Sequence, residues 1–564
     1  MPARLLIIGL DGATFDLIGP WRDDLPHLAR LMDQGAWGQL RSTVPPATFP
    51  AWTSLMTGVN PGQHGVFDFT RRVPGAYRIE FLNATYRQRP SAWRLLSKAG
   101  RRVGVMGLPA TYPPEPLNGF LISGFDAPVA TGIDRSFVHP PELYDEICRA
   151  VGPYEITDFQ ELHIGPGWHE MALRKLLHVA RRRTEIAAYL LDRKAWDCFF
   201  VHFGESDTVA HHFWAFHDPA SPRHIASADL SDAIHTVYRA LDRAVGELVG
   251  RAGDEVTVMI VSDHGSGGTG EWVIHLNRWL AEQGWLCFAP QSAVDRAVGK
   301  LKRLGMALPA PLQEWAFRGP LRRLVGRLES STRLGGIDWA ATCAFSEEVN
   351  TCPGIWLNVH GREPLGTLAP GDYERQRDQI AARLLNWRHP TTGEPVIARA
   401  WRREELYHGP AVDSAPDIVL EPALDTSASL DTRRGYSHTL LPSGGQPGEP
   451  LRRLTAEERL GAKGGSMNGS HRPEGVFILA GAGARPGVRL ADAQIVDVAP
   501  TLLHLLDVPL PAHLDGRVLT EALRSDGKGA STQTAAQSML SPKPYSAKQA
   551  EMVDRRLRGL GYRT

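Results

Sequence analysis

A chain of 564 residues lies at the upper limit of one compact domain, so its length allows one large decorated domain or two to three smaller ones. Hydrophobic residues make up 43% and charged residues 22%, an ordinary globular composition that excludes a disordered, collagen-like or coiled-coil protein. Lys plus Arg and Asp plus Glu both count 62, so net charge supplies no global attraction to nucleic acid or membrane and leaves only local patches to consider.

Cys148, Cys198, Cys287, Cys343 and Cys352 show no CxxC spacing, which fits a reducing compartment better than a disulfide scaffold. The first apolar run is cut at Asp11, too short for a signal sequence, and eighteen consecutive apolar residues occur nowhere. The expectation is a cytoplasmic protein without a transmembrane segment.

Short apolar runs ended by turn residues alternate with longer helical patterns, which predicts an α/β protein with a largely parallel sheet. In chain order, strands are predicted at 4–10, 102–107, 119–124, 197–203, 256–262 and 476–480. Helices are predicted at 51–56, 91–99, 170–191, 227–251, 273–283 and 372–385. The Pro- and Gly-bearing segment 66–166 reads as excursions over the sheet. Segment 291–334 carries nine Lys or Arg against three acids, with apolar residues near helical spacing. It reads as a surface helical hairpin, with a lid or a peripheral contact to an anionic membrane as the sharper alternative. Segment 424–470 reads as a loop insertion, and 525–564 as a linker followed by a short amphipathic helix.

Three predicted strands end in the same chemistry. The first runs into Asp11-Gly12, the fourth into Asp207 with His211 four residues on, and the fifth into Asp263-His264-Gly265. Loops at the carboxyl ends of strands line the ligand crevice of open α/β sheets, so these groups can converge. Singly, each is more often a turn or a cap. Asp207 and His211, at i and i+4, share one helical face and suit two ligands of one ion. Between the first two sites, TFPAWTSLMTGVNPGQHG places Thr48 near a helix N-cap with Pro50 in the first turn. A capping hydroxyl is the bland reading there; a nucleophile at the positive helix end is the functional one.

Gly265-Ser266-Gly267-Gly268-Thr269-Gly270 matches GxGxxG, but Asp263 and His264 separate it from the strand end, against a dinucleotide fingerprint. HExxH, GxSxG and P-loop motifs do not occur. His64, His202 and His212 are expected as satisfied core or surface histidines, with support of the site residues from behind as the alternative.

The order Asp11, Thr48, Asp207-x-x-x-His211, Ser262-Asp263-His264-Gly265 and a late histidine resembles the alkaline phosphatase superfamily, and within it the type I phosphodiesterase and nucleotide pyrophosphatase proteins. The likeness runs to about Leu519, with HRPEGVFILAG and IVDVAPTLLHLLDVPLPAHLDGRVL also typical. The resemblance implies an alkaline-phosphatase-like sandwich: a central mostly parallel sheet flanked by helices, occupying 1–524, with cap insertions at 66–166 and 291–370. It implies two divalent metal ions, one held by Asp11, Asp263, His264 and the Thr48 oxygen, the other by Asp207, His211 and His471. His438 is the rival to His471, whose flanking HRPEG favours it. Mixed Asp and His ligands favour zinc, with manganese the main rival.

The activity implied is hydrolysis of a small phosphate ester through a phosphothreonine on Thr48, with two ions roughly 4 Å apart stabilising the attacking and leaving oxygens. Nucleotide pyrophosphatases carry an asparagine shortly after the HG that ends this motif. Here HGVFDF supplies Asp68 and Phe69, so nucleotide selectivity does not follow from the resemblance. A threonine nucleophile resembles the diesterase branch, and the C/S-x-P-x-R opening of sulfatases is missing at Thr48-Phe49-Pro50-Ala51-Trp52. The alternatives are a phosphomutase or phosphotransferase on the same scaffold, and a metal-containing binding protein without catalysis. No nucleic-acid module is evident.

Overall fold

The run LLIIGL has no polar residue to mark an exposed face, and the strand it forms, Leu5–Leu10, is buried throughout. Alternation sends Leu6, Ile8 and Leu10 into one apolar cluster and Leu5 and Ile7 into another, so both faces of the sheet need cover. The first cluster is completed by helices Pro26–Gln34, Trp168–Arg193, Glu205–His217 and Ala233–Ala252. The second is completed by Thr48–Thr57, Ala92–Lys98 and Val498–Leu505. The computed structural model describes residues 4–125, 134–156, 164–290, 334–426, 435–456, 458–460, 466–524, 532–533, 543–546, 549–550 and 552–554.

Among the described residues the central sheet has nine strands, in the order Val488–Gln494, Ala36–Arg41, Glu474–Gly481, Thr257–Val261, Leu5–Leu10, Cys198–Phe203, Val103–Met106, Gly119–Ile122 and Val138–His139. Glu474–Gly481 is antiparallel to both neighbours, and Val138–His139 is antiparallel to Gly119–Ile122. The other seven run one way. This is the expected α/β architecture: a mostly parallel sheet between two helical layers.

Three expectations need correction. Segment 66–166 is not only cap, because three of its strands, Val103–Met106, Gly119–Ile122 and Val138–His139, belong to the central sheet. Residues 273–274 are strand, not helix: Gly265–Ile274 pairs with Tyr436–Leu440, and the helix begins at Leu276. The β-branched pair Val273-Ile274 suits that ladder better than a first helical turn. The strands Ala36–Arg41 and Val488–Gln494 carry no apolar run to mark them: exposure alternates along the first, and the second buries only Leu490 and Ala493. As expected, Thr48 lies beside the N-cap with Pro50 in the first turn: it opens its helix, Ala47 is the N-cap, and no side chain caps that end.

A second core lies under a four-stranded antiparallel sheet of Ala344–Phe345, Gly354–Leu357, Ile418–Pro422 and Ile397–Arg402, with helix Tyr373–Leu385 against it. This unit runs past residue 370, where the second cap was expected to end. The basic segment falls at 291–333 outside the described residues, apart from its last position. All five cysteines are unpaired. No helix among the described residues is long and apolar enough to cross a membrane.

The C-terminal segment returns to the body beside the first turn of Thr48–Thr57. Asn83 Nδ2 donates to the Lys543 carbonyl at 2.8 Å, and Lys543 N donates to Thr85 Oγ1 at 2.8 Å. Val553, 1% exposed, packs in a cluster with Phe49, Phe69 and Phe125. Val553→Asp places an unpaired charge in that cluster and is expected to undock the segment. Limited proteolysis reads this as faster cleavage within 543–554, and unchanged resistance counts against it.

Candidate active site

The site forms where the seven co-directional strands end. Asp11 follows Leu5–Leu10, Asp207 lies in the first turn of the helix after Cys198–Phe203, and Asp263-His264 follow Thr257–Val261. His471 lies in the short strand Gly469–Arg472, just before Glu474–Gly481; the latter is antiparallel, so its amino end lies at the carboxyl ends of its neighbours. The sheet thus delivers His471 to the crevice by the rule that governs the others. His438 sits in Tyr436–Leu440, its ring 6.4 Å from that of His389, and falls in neither cluster described next.

Two groups of ligand-type side chains, all buried except the half-buried His471, have ligand atoms within 4.8 Å of one another: Asp11, Asp263 and His264, and Asp207, His264 and His471. His264 belongs to both. His211 adjoins the second, its Nε2 lying 3.3 Å from Asp207 Oδ2 and 3.1 Å from His471 Nε2. Thr48 Oγ1 is 3.3 Å from His264 Nε2. All seven expected site residues are therefore brought together.

The hydrogen bonds orient the imidazoles. Nδ1 of His211, His264 and His471 lies 2.8, 2.9 and 2.9 Å from the carbonyls of Gly469, Gly265 and Pro46. A carbonyl only accepts, so each Nδ1 donates and each neutral ring presents its Nε2 lone pair to the centre. Asp11 Oδ1, Asp263 Oδ2 and both oxygens of Asp207 are buried with no hydrogen-bond donor among the described residues. Buried acceptors in that state are costly unless a cation lies among them. Burial, followed by the charges of Asp11 and Asp207, pushes the Asp263 carboxyl well above its usual range. Burial and the neighbouring His264 push His471 down, whereas at His211 burial is outweighed by Asp207 together with the Gly469 carbonyl and Asp11, and the pKa is raised. This donor set fits divalent ions that accept nitrogen and oxygen together.

Close packing leaves no room for a side chain at residue 12. Gly12 has φ +63°, and a Cβ there would meet Asp207 Oδ1 at 2.7 Å and Ser266 Oγ at 2.9 Å. The GxGxxG run is strand, not a phosphate loop. A Cβ at Gly265 would strike the Glu474 carbonyl at 2.3 Å, so that glycine serves a close approach of two backbones. Asp68 accepts the hydroxyls of Thr351 at 2.7 Å and Thr70 at 3.2 Å, and Phe69 packs on Phe49 with ring centres 4.3 Å apart.

His64 is a core histidine, as expected. Val66 N donates to its Nδ1 at 3.1 Å, so Nε2 donates to Ser54 Oγ at 2.9 Å. Burial, then the charge of Arg87, lowers its pKa from 6.5 to about 3. The unfolded chain therefore takes up this proton first as pH falls. The stability that neutral His64 contributes is complete above 6.5 and declines below it, by about 1.4 kcal/mol per pH unit, until the folded pKa is reached. His64→Gln keeps one donor and one acceptor without titrating. It is expected to flatten the fall in urea midpoint between pH 6.5 and about pH 5, and an unchanged slope refutes the assignment.

A mostly parallel sheet whose crevice combines a buried hydroxyl with three carboxylates and three imidazoles defines a hydrolase of phosphate esters. The family model for type I phosphodiesterase / nucleotide pyrophosphatase matches residues 5–439, and the chain belongs to that family. The match ends before His471, which the fold alone brings into the site. Among solved structures, human ectonucleotide pyrophosphatase / phosphodiesterase 5 aligns with a TM-score of 0.48 and 13% identity, covering 93% of this chain and 100% of that one. The murine protein of the same name aligns at 0.47 and 13%, covering 92% and 100%. Its inactive threonine-to-alanine form in complex with AMP aligns at 0.47 and 13%, covering 92% and 98%. Comparison with curated proteins finds no match.

Proposed function

We propose that this chain is a metal-dependent phosphodiesterase acting through a phosphothreonine on Thr48. The observation that carries the reading is the position of Thr48 Oγ1, 3.3 Å from His264 Nε2, at the junction of two clusters whose carboxylates include oxygens without a donor. Asp11, Asp263, His264 and the Thr48 oxygen are assigned to one ion; Asp207, His211 and His471 are assigned to the other. The mixed set favours zinc, with manganese the rival. Bound ions supply positive charge that lowers the pKa of a hydroxyl or water and offsets charge developing on phosphoryl oxygens.

The chain's own residues supply position. Thr48 is the first residue of a ten-residue helix, where the backbone dipole favours an anion, and its hydroxyl caps nothing. Its Oγ forms the bond to phosphorus as the ester bond to the leaving group breaks, the hydroxyl proton being balanced by protonation of the departing alcohol; water then adds its oxygen to phosphorus as the bond to Thr48 Oγ breaks, returning a proton to Thr48 and releasing the monoester. The threonine nucleophile supports a diester, and Asp68 and Phe69, engaged with threonine hydroxyls and with Phe49, leave nucleotide selectivity unassigned. A catalytic unit of 1–524 followed by a C-terminal segment at 525–564 belongs to this reading, and the five unpaired thiols support a cytoplasmic location.

Hydrolysis of a chromogenic diester, beside the matching monoester and with metal content determined in parallel, tests the proposal. Faster diester turnover that needs metal is expected. Preference for the monoester, or transfer to an added alcohol, moves the chain to the phosphatase or phosphotransferase branch. Inactivity with both ions bound overturns the catalytic reading.

A further inference from the structure

Two side chains outside both clusters reach the outer oxygen of Asp11. Trp52 Nε1 donates to Asp11 Oδ2 at 3.0 Å, and His202 Nε2 lies 2.9 Å from the same atom. All three residues are buried. A carboxylate only accepts, so His202 carries its proton on Nε2. Asp11 Oδ1 has no donor among the described residues and lies 3.6 Å from His264 Nε2. One oxygen of the carboxylate is saturated and the other is left for the cluster.

We propose that Trp52 and His202 are positioning residues that hold the Asp11 carboxylate with Oδ1 turned into the Asp11, Asp263 and His264 cluster. The proposal rests on the two-ion reading above. Donors on the far side of a ligand remove its freedom to rotate away and keep it aimed at the ion.

The arrangement couples the ligand to the nucleophile. Thr48 and Trp52 are four residues apart on one helix, so a single face presents both the hydroxyl and the indole donor. The indole lies over the first strand at Gly9. A Cβ there would meet Trp52 Cη2 at 2.8 Å and Phe200 Cζ at 3.0 Å. Gly9 pairs in register with His202, and the two aromatic donors meet edge to face with ring centres 5.1 Å apart. Arg183 Nη1 donates to the His202 carbonyl at 2.7 Å and fixes that strand position from the long helix. Gly9, Trp52 and His202 thus form one layer beneath Asp11, supplied by two strands and the helix of the nucleophile.

The test is titration of metal-stripped full-length protein with Zn²⁺ in competition with a chromogenic chelator, with stoichiometry from native mass spectrometry. Trp52→Phe keeps an aromatic ring and removes its donor, and His202→Leu removes the other. His202→Gln keeps a donor, and Gly9→Ala displaces the indole while leaving both donors in the chain. Affinity for one of the two ions is expected to fall by about 10–100-fold in Trp52→Phe, His202→Leu and Gly9→Ala, with the other within about twofold and His202→Gln recovering most of the loss. Wild-type affinity for both ions in Trp52→Phe and Gly9→Ala overturns the proposal. Equal weakening of both ions, the mark of general loosening, also overturns it. If His202→Leu does not fold, the other two variants decide. A wild-type protein that binds fewer than two ions instead overturns the two-ion reading itself.

Discussion

Thr48→Ala is expected to lower diester turnover by at least about 10³-fold while the protein keeps its metal. The hydroxyl is completely buried and 3.3 Å from His264 Nε2, and it caps no helix end, because the N-cap is Ala47. Alanine therefore removes the reacting atom without weakening the helix start. Asp11, Asp263 and His264 remain for the ion that the threonine oxygen would share. Thr48→Ser, which retains a hydroxyl at the same backbone position, is expected to keep measurable turnover. Steady-state rates on a chromogenic diester, with metal content measured on the same samples, check both. Near-normal rates in a metal-loaded Thr48→Ala protein sink the phosphothreonine.

Asp263→Asn is expected to reverse sign with metal. Asp263, Asp11 and Asp207 are buried together, and burial plus the two neighbouring charges disfavour ionisation of Asp263. Without a cation, a neutral amide of the same shape relieves that repulsion, and its oxygen can still accept the 3.3 Å hydrogen bond from Gly12 N. In excess chelator the variant should therefore be more stable than wild type, by about 1–3 kcal/mol. With saturating metal the order inverts, because wild type gains binding energy that the variant has lost. Melting curves for both proteins with chelator and with Zn²⁺ show whether the two pairs cross. If wild type is more stable in both conditions, the three carboxylates are not awaiting a cation.

Much of the architecture was readable because it depends on local pattern. Runs such as LLIIGL and FFVHF carry the continuous apolar character of strands covered on both faces, and each leads into the carboxylate that the crevice needs. The i, i+4 pair Asp207 and His211 was legible for the same reason: helical periodicity puts both on one face wherever the helix lies. Ala36–Arg41 and Val488–Gln494 were not, because the first alternates buried and exposed residues and the second buries only Leu490 and Ala493, so neither carries an apolar run.

The sequence by itself determined the fold class, the identity of the candidate nucleophile and the chemical types of its partners, since these follow from short-range periodicity and from ordered motifs. Tertiary structure decided three things that local spacing does not encode. The reversed direction of Glu474–Gly481 brings the end carrying His471 to the crevice. Ala47 takes the N-cap and leaves the Thr48 hydroxyl facing His264. His202, for which spacing left a core role and a role behind the ligands both open, donates to Asp11 across 191 positions of chain. Each depends on strand direction or on contact between distant segments, and those are chosen only when the two helical layers close on the sheet.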